Sequence, residues 1–180
     1  MAIAVLTSCS SGETANETLP PVSSSAAPTS DTLQPLGPPD LPMPMEARQQ
    51  SEAGAQAFLR YYMQLYSAAQ ASMNADYLDQ FSQDCATCDR IIEEIRQDAA
   101  TGYSYRGGQI SVDYLDSSPV KGSVVEAVLS IRQSPLTVID STGQPIPSLI
   151  FDERTSSGSG ALLGWDETTN SWVLNQWDVN

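Results

Sequence analysis

The apolar residues of this chain change their spacing once. Through 51–103 they recur every three to four positions, as on one face of a helix. From Ile110 onward they alternate with polar residues, as in a half-buried strand. A chain written this way keeps its helices and its strands in separate halves. That favours an α+β domain, with N-terminal helices packed on a bent antiparallel sheet, over an alternating βαβ series with a parallel sheet.

In the helical half, Phe58, Tyr62, Leu65, Ala69 and Met73 fall on one face of a long first helix, away from Arg60, Gln64, Ser67 and Gln70. Ser51 is placed to cap it, with Glu52 beside the positive end of the helix dipole. Asn74, Ala75 and Asp76 interrupt the pattern, and Asp76 is the expected cap of a short second helix that turns Tyr77, Leu78 and Phe81 inward. Asp84 is the expected cap of a third helix. Its apolar stripe is Cys88, Ile91, Ile92, Ile95 and Ala99, and Gly102 suits the left-handed residue that ends it.

In the second half, Ile110, Val112 and Tyr114 alternate with Ser111 and Asp113. After a turn over 116–122, Val125, Ala127, Leu129 and Ile131 alternate with Glu126, Ser130 and Arg132. Pro135 ends that strand and 136–140 reads as a short third one. Pro145 and Pro147 make the next segment irregular or an edge. The Ser-Ser-Gly-Ser-Gly run at 156–160 reads as a flexible loop. Two last strands, 161–165 and 172–179, are joined as a hairpin. In the last one parity is ambiguous, because Trp172 and Leu174 point one way while Val173 and Trp177 point the other.

Charge narrows the function classes. Eight basic residues stand against 22 acidic ones, for a formal charge of -14, and Lys121 is the only lysine. Such a chain offers no electrostatic footprint for nucleic acid, nor for anionic lipid headgroups. It contains no histidine, so Ser-His-Asp and Cys-His catalysis are excluded within it.

The front of the chain reads differently from the rest. Residues 1–8 are short and apolar and end in Leu6-Thr7-Ser8-Cys9, which resembles a bacterial lipobox. A basic n-region and a longer apolar run are cut short, so 1–8 is read as a truncated signal peptide and Cys9 as the site of lipidation. Eight of the twelve prolines, Pro20, Pro21, Pro28, Pro35, Pro38, Pro39, Pro42 and Pro44, follow among serine, threonine and alanine. Too little apolar surface is available there to offset ordering entropy. The expectation is therefore a disordered tether over 9–45 and an α+β domain over 46–180.

Cys85 and Cys88 are the sharpest local feature, and three readings compete. A structural disulfide suits an extracytoplasmic i, i+3 pair at a helix start. A redox dithiol would draw on the thiol acidity of a helix N-terminus, yet thioredoxin-type motifs follow a strand. A zinc site needs two further ligands. The disulfide is the expected one, and no metal or cofactor is expected. Asp113, Asp116, Glu126 and Asp140 lie on or near strands. A carboxylate inside an apolar cavity could serve as a general base, although alternating acids more often form a solvated face. Trp165, Trp172 and Trp177 suit core and hairpin packing, with a ligand pocket as the alternative. Arg106-Gly107-Gly108 is too short for a phosphate loop and precedes a strand.

Taken in order, the lipobox Cys9, the Pro/Ser/Thr tether, Met43-Pro44 with Ala47, Gly54-Ala55-x-Ala57-Phe58 with Tyr61-Tyr62, and Asp84-Cys85-x-x-Cys88 resemble the actinobacterial lipoprotein family known as domain of unknown function family 6318. The resemblance is strongest over 39–113. That family has no assigned activity, so it implies no catalytic residue. Three helices followed by a curved antiparallel sheet also look like the nuclear-transport-factor-2-like cone, a fold that hosts ketosteroid-isomerase-type enzymes, ligand carriers and silent binding modules.

These readings together predict a lipoprotein on the outer face of the cell membrane. Its expected role is that of a non-enzymatic binding or assembly module, whose partner is an envelope protein or a small apolar ligand. A small pocket enzyme or ligand carrier is the alternative. The polar face formed by Ser111, Asp113, Glu126, Ser130 and Arg132 is a candidate contact surface. An apolar cavity holding a carboxylate of shifted pKa beside a tyrosine would favour the enzyme.

Overall fold

The computed structural model describes residues 33–179. Cys9, the expected signal segment and most of the expected tether lie outside the described residues. The folded unit begins at Gln34, earlier than the boundary at residue 46 read from the sequence. Within the proline-rich run, Leu36 and Leu41 pack on the core and Met43 is only 6% exposed. The Met43 amide donates to the Leu36 carbonyl (2.8 Å), and the Tyr61 hydroxyl donates to the Leu41 carbonyl (3.0 Å). Prolines set at that spacing stiffen the segment without stopping its apolar side chains from docking. Gly37, at φ +88°, lies so close to the Tyr61 hydroxyl that a Cβ would overlap it.

A 3-10 turn, Met45–Arg48, leads into helix α1, Glu52–Ser72. Ser51 caps α1 as expected, its hydroxyl accepting from the Gly54 amide at 3.0 Å. Phe58, Tyr62, Leu65 and Ala69 of the expected face are buried and Met73 is half-buried, but Leu59, Tyr61, Met63 and Gln70, the last expected to point away, are buried too. The helix is enclosed on more sides than one stripe implies, because the N-terminal segment covers its second face. Met73, left-handed at φ 56°, ends it. Helix α2, Asp76–Gln80, is capped from outside: Asn74 Oδ1 accepts from the Asp76 amide, and Asp76 itself sits in the first turn. Helix α3, Ala86–Thr101, is capped by Cys85 rather than Asp84, its sulfur accepting from the Cys88 amide at 3.3 Å. Gly102, at φ 81°, ends α3 in the left-handed conformation.

Seven strands follow: β1 Ser104–Gly107, β2 Ile110–Ser117, β3 Val124–Gln133, β4 Leu136–Ile139, β5 Pro145–Phe151, β6 Arg154–Asp166 and β7 Ser171–Asp178. They form two antiparallel sheets, ordered β2-β3-β6-β7 and β1-β4-β5. The proline-containing β5 is an edge, as its composition requires. The larger sheet carries bulges in each of its three pairings, and bulges bend a sheet. The class expected from the sequence, α+β with helices on curved antiparallel sheets, is the class observed.

Two local expectations are corrected. The run 156–160 is not a loop. Ser156 pairs with Ile131 and Ser159 with Leu129, with the register shifting between them, and Gly158 (φ 71°) supplies the conformation that interrupts the strand without ending it. In β7, Leu163 pairs with Leu174 while Leu162 pairs with Gln176, so Asn175 is an extra residue. That bulge resets parity, and Trp172, Leu174 and Trp177 all face the core.

Arg48 joins three parts of the unit. It is only 8% exposed. Its guanidinium donates to the carbonyls of Gln34 (2.5 Å), Thr169 (2.8 Å) and Asn170 (3.4 Å). Beside it the Trp172 indole N–H donates to the Gln49 carbonyl at 2.9 Å, and Trp165 stacks edge-on against Trp172. The N-terminal segment is thereby fastened to the β6–β7 turn. Among the described residues, no helix is long and apolar enough to cross a membrane.

Candidate ligand cleft

The helices fill most of the concave side of the sheets. Phe58, Phe81, Tyr61 and Tyr62 form a cluster of tilted and edge-to-face rings over the larger sheet. Toward the far end of α1 the filling stops. There a cleft of about 500 Å³ opens between α3, the last turns of α1 and the strands. Ile91 and Ile95 of α3, Ile110 and Ile131 of the larger sheet, and Leu136 and Phe151 of the smaller one supply its apolar walls.

Polar groups sit at defined places around this surface. Tyr66 and Gln70 come from α1, Arg90 and Glu94 from α3, and Arg154 from β6. The Gln133 amide donates to Gln70 Oε1 at 3.4 Å. Burial pushes the Tyr66 phenol up to about 12, aided by Glu94 and opposed by Arg90 and Arg154. Three charges therefore act on one hydroxyl. Tyr105 of β1, also in the lining, donates to the Asp98 carboxylate, and burial together with that bond raises its pKa strongly. The Trp177 indole stands edge-to-face on Tyr66, and its buried N–H has no hydrogen-bond partner. Native structures leave few such groups unpaired.

The residues singled out from the sequence are distributed unevenly with respect to this cleft. Cys85 and Cys88 are at bonding distance as a disulfide, buried at the start of α3 and away from the cleft walls. Asp113 pairs with Arg132 at 2.6 Å, so the polar face proposed as a contact surface is partly self-neutralised. Asp116 and Glu126 flank a shallow depression on the outer side of the same strands, beside the exposed Tyr114 and Val128. Asp140 closes the β4–β5 turn by accepting from the Thr142 hydroxyl and from the amides of Gln144 and Thr142, which hold its carboxyl below the usual range. Trp172 is core, as expected, whereas Trp177 is both core and cleft wall. Glu94 is the carboxylate of the cleft's lining, and it is solvent-exposed. Sequence reasoning did not find Tyr66, Tyr105, Arg90 or Arg154. On a helix or strand each is an ordinary half-buried or surface residue, and only the tertiary crossing of α1, α3, β1 and β6 brings them together.

The model of a family of unknown function, DUF6318, matches residues 36–179. The chain belongs to this family. Its match opens two residues after the folded unit does and takes in both the Cys85–Cys88 pair and the cleft. The DUF6318 domain is also similar to several solved structures. One is the intermembrane space region of the chloroplast protein ARC6, at 19% identity over 71% of this chain and 95% of that one, with a TM-score of 0.44. Another is a nuclear transport factor 2-like superfamily protein from Salmonella enterica serovar Typhimurium, at 10% identity, 71% and 91% coverage and a TM-score of 0.45. A third, from Caulobacter vibrioides, has a cystatin-like fold, with 9% identity, 68% and 87% coverage and a TM-score of 0.41. No curated protein matches the chain in sequence.

Proposed function

We propose that this domain is a non-catalytic binding module, held on the outer face of a membrane by lipid on Cys9, and that it takes a small, partly apolar ligand in the cleft. The observation that carries the reading is the cleft itself. A cavity of about 500 Å³ has the size of a small-molecule site, and its isoleucine, leucine and aromatic side chains share the lining with as many polar ones, which suits a ligand that is only partly apolar. An enzyme of the isomerase type would want its carboxylate sunk among apolar side chains, where burial makes it a base. Glu94 instead stands exposed at the rim, and Asp113, Asp116, Glu126 and Asp140 lie elsewhere.

The cleft reading is tested with N-phenyl-1-naphthylamine, a neutral apolar dye that fluoresces when shielded from water. The expected result is strong emission with the parent chain and its loss in Leu136→Trp, which places a larger ring on the cleft wall. Equal emission from both proteins would place the dye elsewhere and refute the site. Anchoring is tested separately by cell fractionation: Cys9→Ala is expected to leave the membrane fraction, and unchanged retention would count against lipid on that cysteine.

A further inference from the structure

The class of ligand follows from how the arginines are used, and this inference rests on the cleft reading above. In a chain of formal charge -14, cations are scarce. Arg48 is committed to main-chain carbonyls, Arg96 to Asp76 and Asp79, and Arg132 to Asp113, while Arg60, Arg106 and Lys121 lie outside the cleft lining. Arg90 and Arg154 are on different elements, yet both line the cleft. Among the described residues, neither makes an ion pair. Both guanidinium groups act electrostatically on the same Tyr66 hydroxyl. Against these stands one carboxylate, Glu94. Two like charges in the lining of one cleft repel each other. An anion bound between them removes that repulsion and gives each planar fork an acceptor.

We propose that the cleft holds a monoanionic amphipathic ligand, a carboxylate on an apolar body, with the carboxylate between Arg90 and Arg154 and the body against Ile91, Ile95, Leu136 and Phe151. A single charge matters here. The field of so acidic a chain opposes every further negative charge on the ligand, which disfavours phosphate monoesters and other multiply charged groups.

Octanoate and 1-octanol, which share an alkyl body and differ in charge, test this by calorimetric titration of the full chain. Octanoate is expected to bind more tightly than 1-octanol and to weaken as salt is raised. Its affinity should fall roughly tenfold in each of Arg90→Gln and Arg154→Gln, as for loss of a charged hydrogen bond, while 1-octanol is unaffected. Both arginines are exposed, so both variants should melt with the parent. Equal binding of the two probes, untouched by the arginine changes, would overturn the anion and leave the cleft reading standing. Binding of neither probe would overturn both.

Discussion

Trp177 presents its indole edge-to-face to the ring of Tyr66, with centroids 6.1 Å apart and planes at 84°. The contact ties the end of β7 to α1 along the cleft wall. Trp177→Ala removes both the ring and the contact, and should cost about 3–5 kcal/mol of unfolding free energy. Trp177→Phe keeps a ring there and removes an N–H whose unpaired burial costs about 1–3 kcal/mol. It should therefore lose less than half as much. Urea denaturation of the two variants measures the difference, and equal losses would show that the N–H has an acceptor after all.

Arg48 is buried and meets three carbonyls. Arg48→Met keeps much of the apolar stem but strands those carbonyls, and is expected to cost about 3 kcal/mol. Arg48→Lys should recover only part of this, because an ammonium lacks the planar fork that reaches Gln34 and the β6–β7 turn together. Limited proteolysis should cut within 34–43 faster in both variants than in the parent. Unchanged cleavage would mean that Leu36, Leu41 and Met43 hold the segment unaided.

The disulfide closes a very short loop, so reduction should lower stability by only about 2 kcal/mol and leave the domain folded. Cys85 has a second role as the cap of α3. Cys85→Ser/Cys88→Ala should therefore exceed Cys85→Ala/Cys88→Ala by about 1 kcal/mol, since serine restores the cap and the buried position is the same in both. Thermal melts of the two double variants compare them directly.

Alkali should unfold the domain through its tyrosines. Burial raises the pKa of Tyr61, Tyr62 and Tyr105, and that of Tyr66 to about 12. A phenol is neutral while protonated, and here the folded state holds the proton more tightly than the unfolded chain does. The stability this contributes is complete below the ordinary phenol pKa of roughly 10 and is lost as pH rises from there toward the folded values. The melting temperature should be level approaching pH 10 and fall steeply above it. Tyr66→Phe should soften that fall, and a flat profile through this range would contradict the burial of these hydroxyls.

The sequence was most legible where one side-chain period governs one element. Phe58 through Ala69 and Ile91 through Ile95 named the core faces of α1 and α3, and the switch at Ile110 named the fold class. It was least legible where a local signal had two uses. Serine and glycine at 156–160 look like a loop but build a bulged strand, since partner β3 supplies the hydrogen bonds that composition cannot reveal. Pro35 to Pro44 look like tether, yet Leu36, Leu41 and Met43 find a groove beside Tyr61. The cleft was illegible for a different reason. Arg90 and Arg154 are far apart in sequence, and nothing in either local pattern places both in the lining of one cleft.

The Arg48 clamp has a practical side. It holds Gln34 against the turn between β6 and β7, whereas the cleft is walled by Arg154 at the start of β6 and by Trp177 and Val179 at the end of β7. In an antiparallel pair these are opposite ends of one hairpin. The two termini are therefore not interchangeable as handles. A support coupled ahead of residue 34 grips the clamped end and leaves the cleft to solvent. A purification tag fused after residue 180 starts beside Val179 and crowds the cleft wall, so a screen run on such a protein would score the tag's obstruction as the domain's indifference.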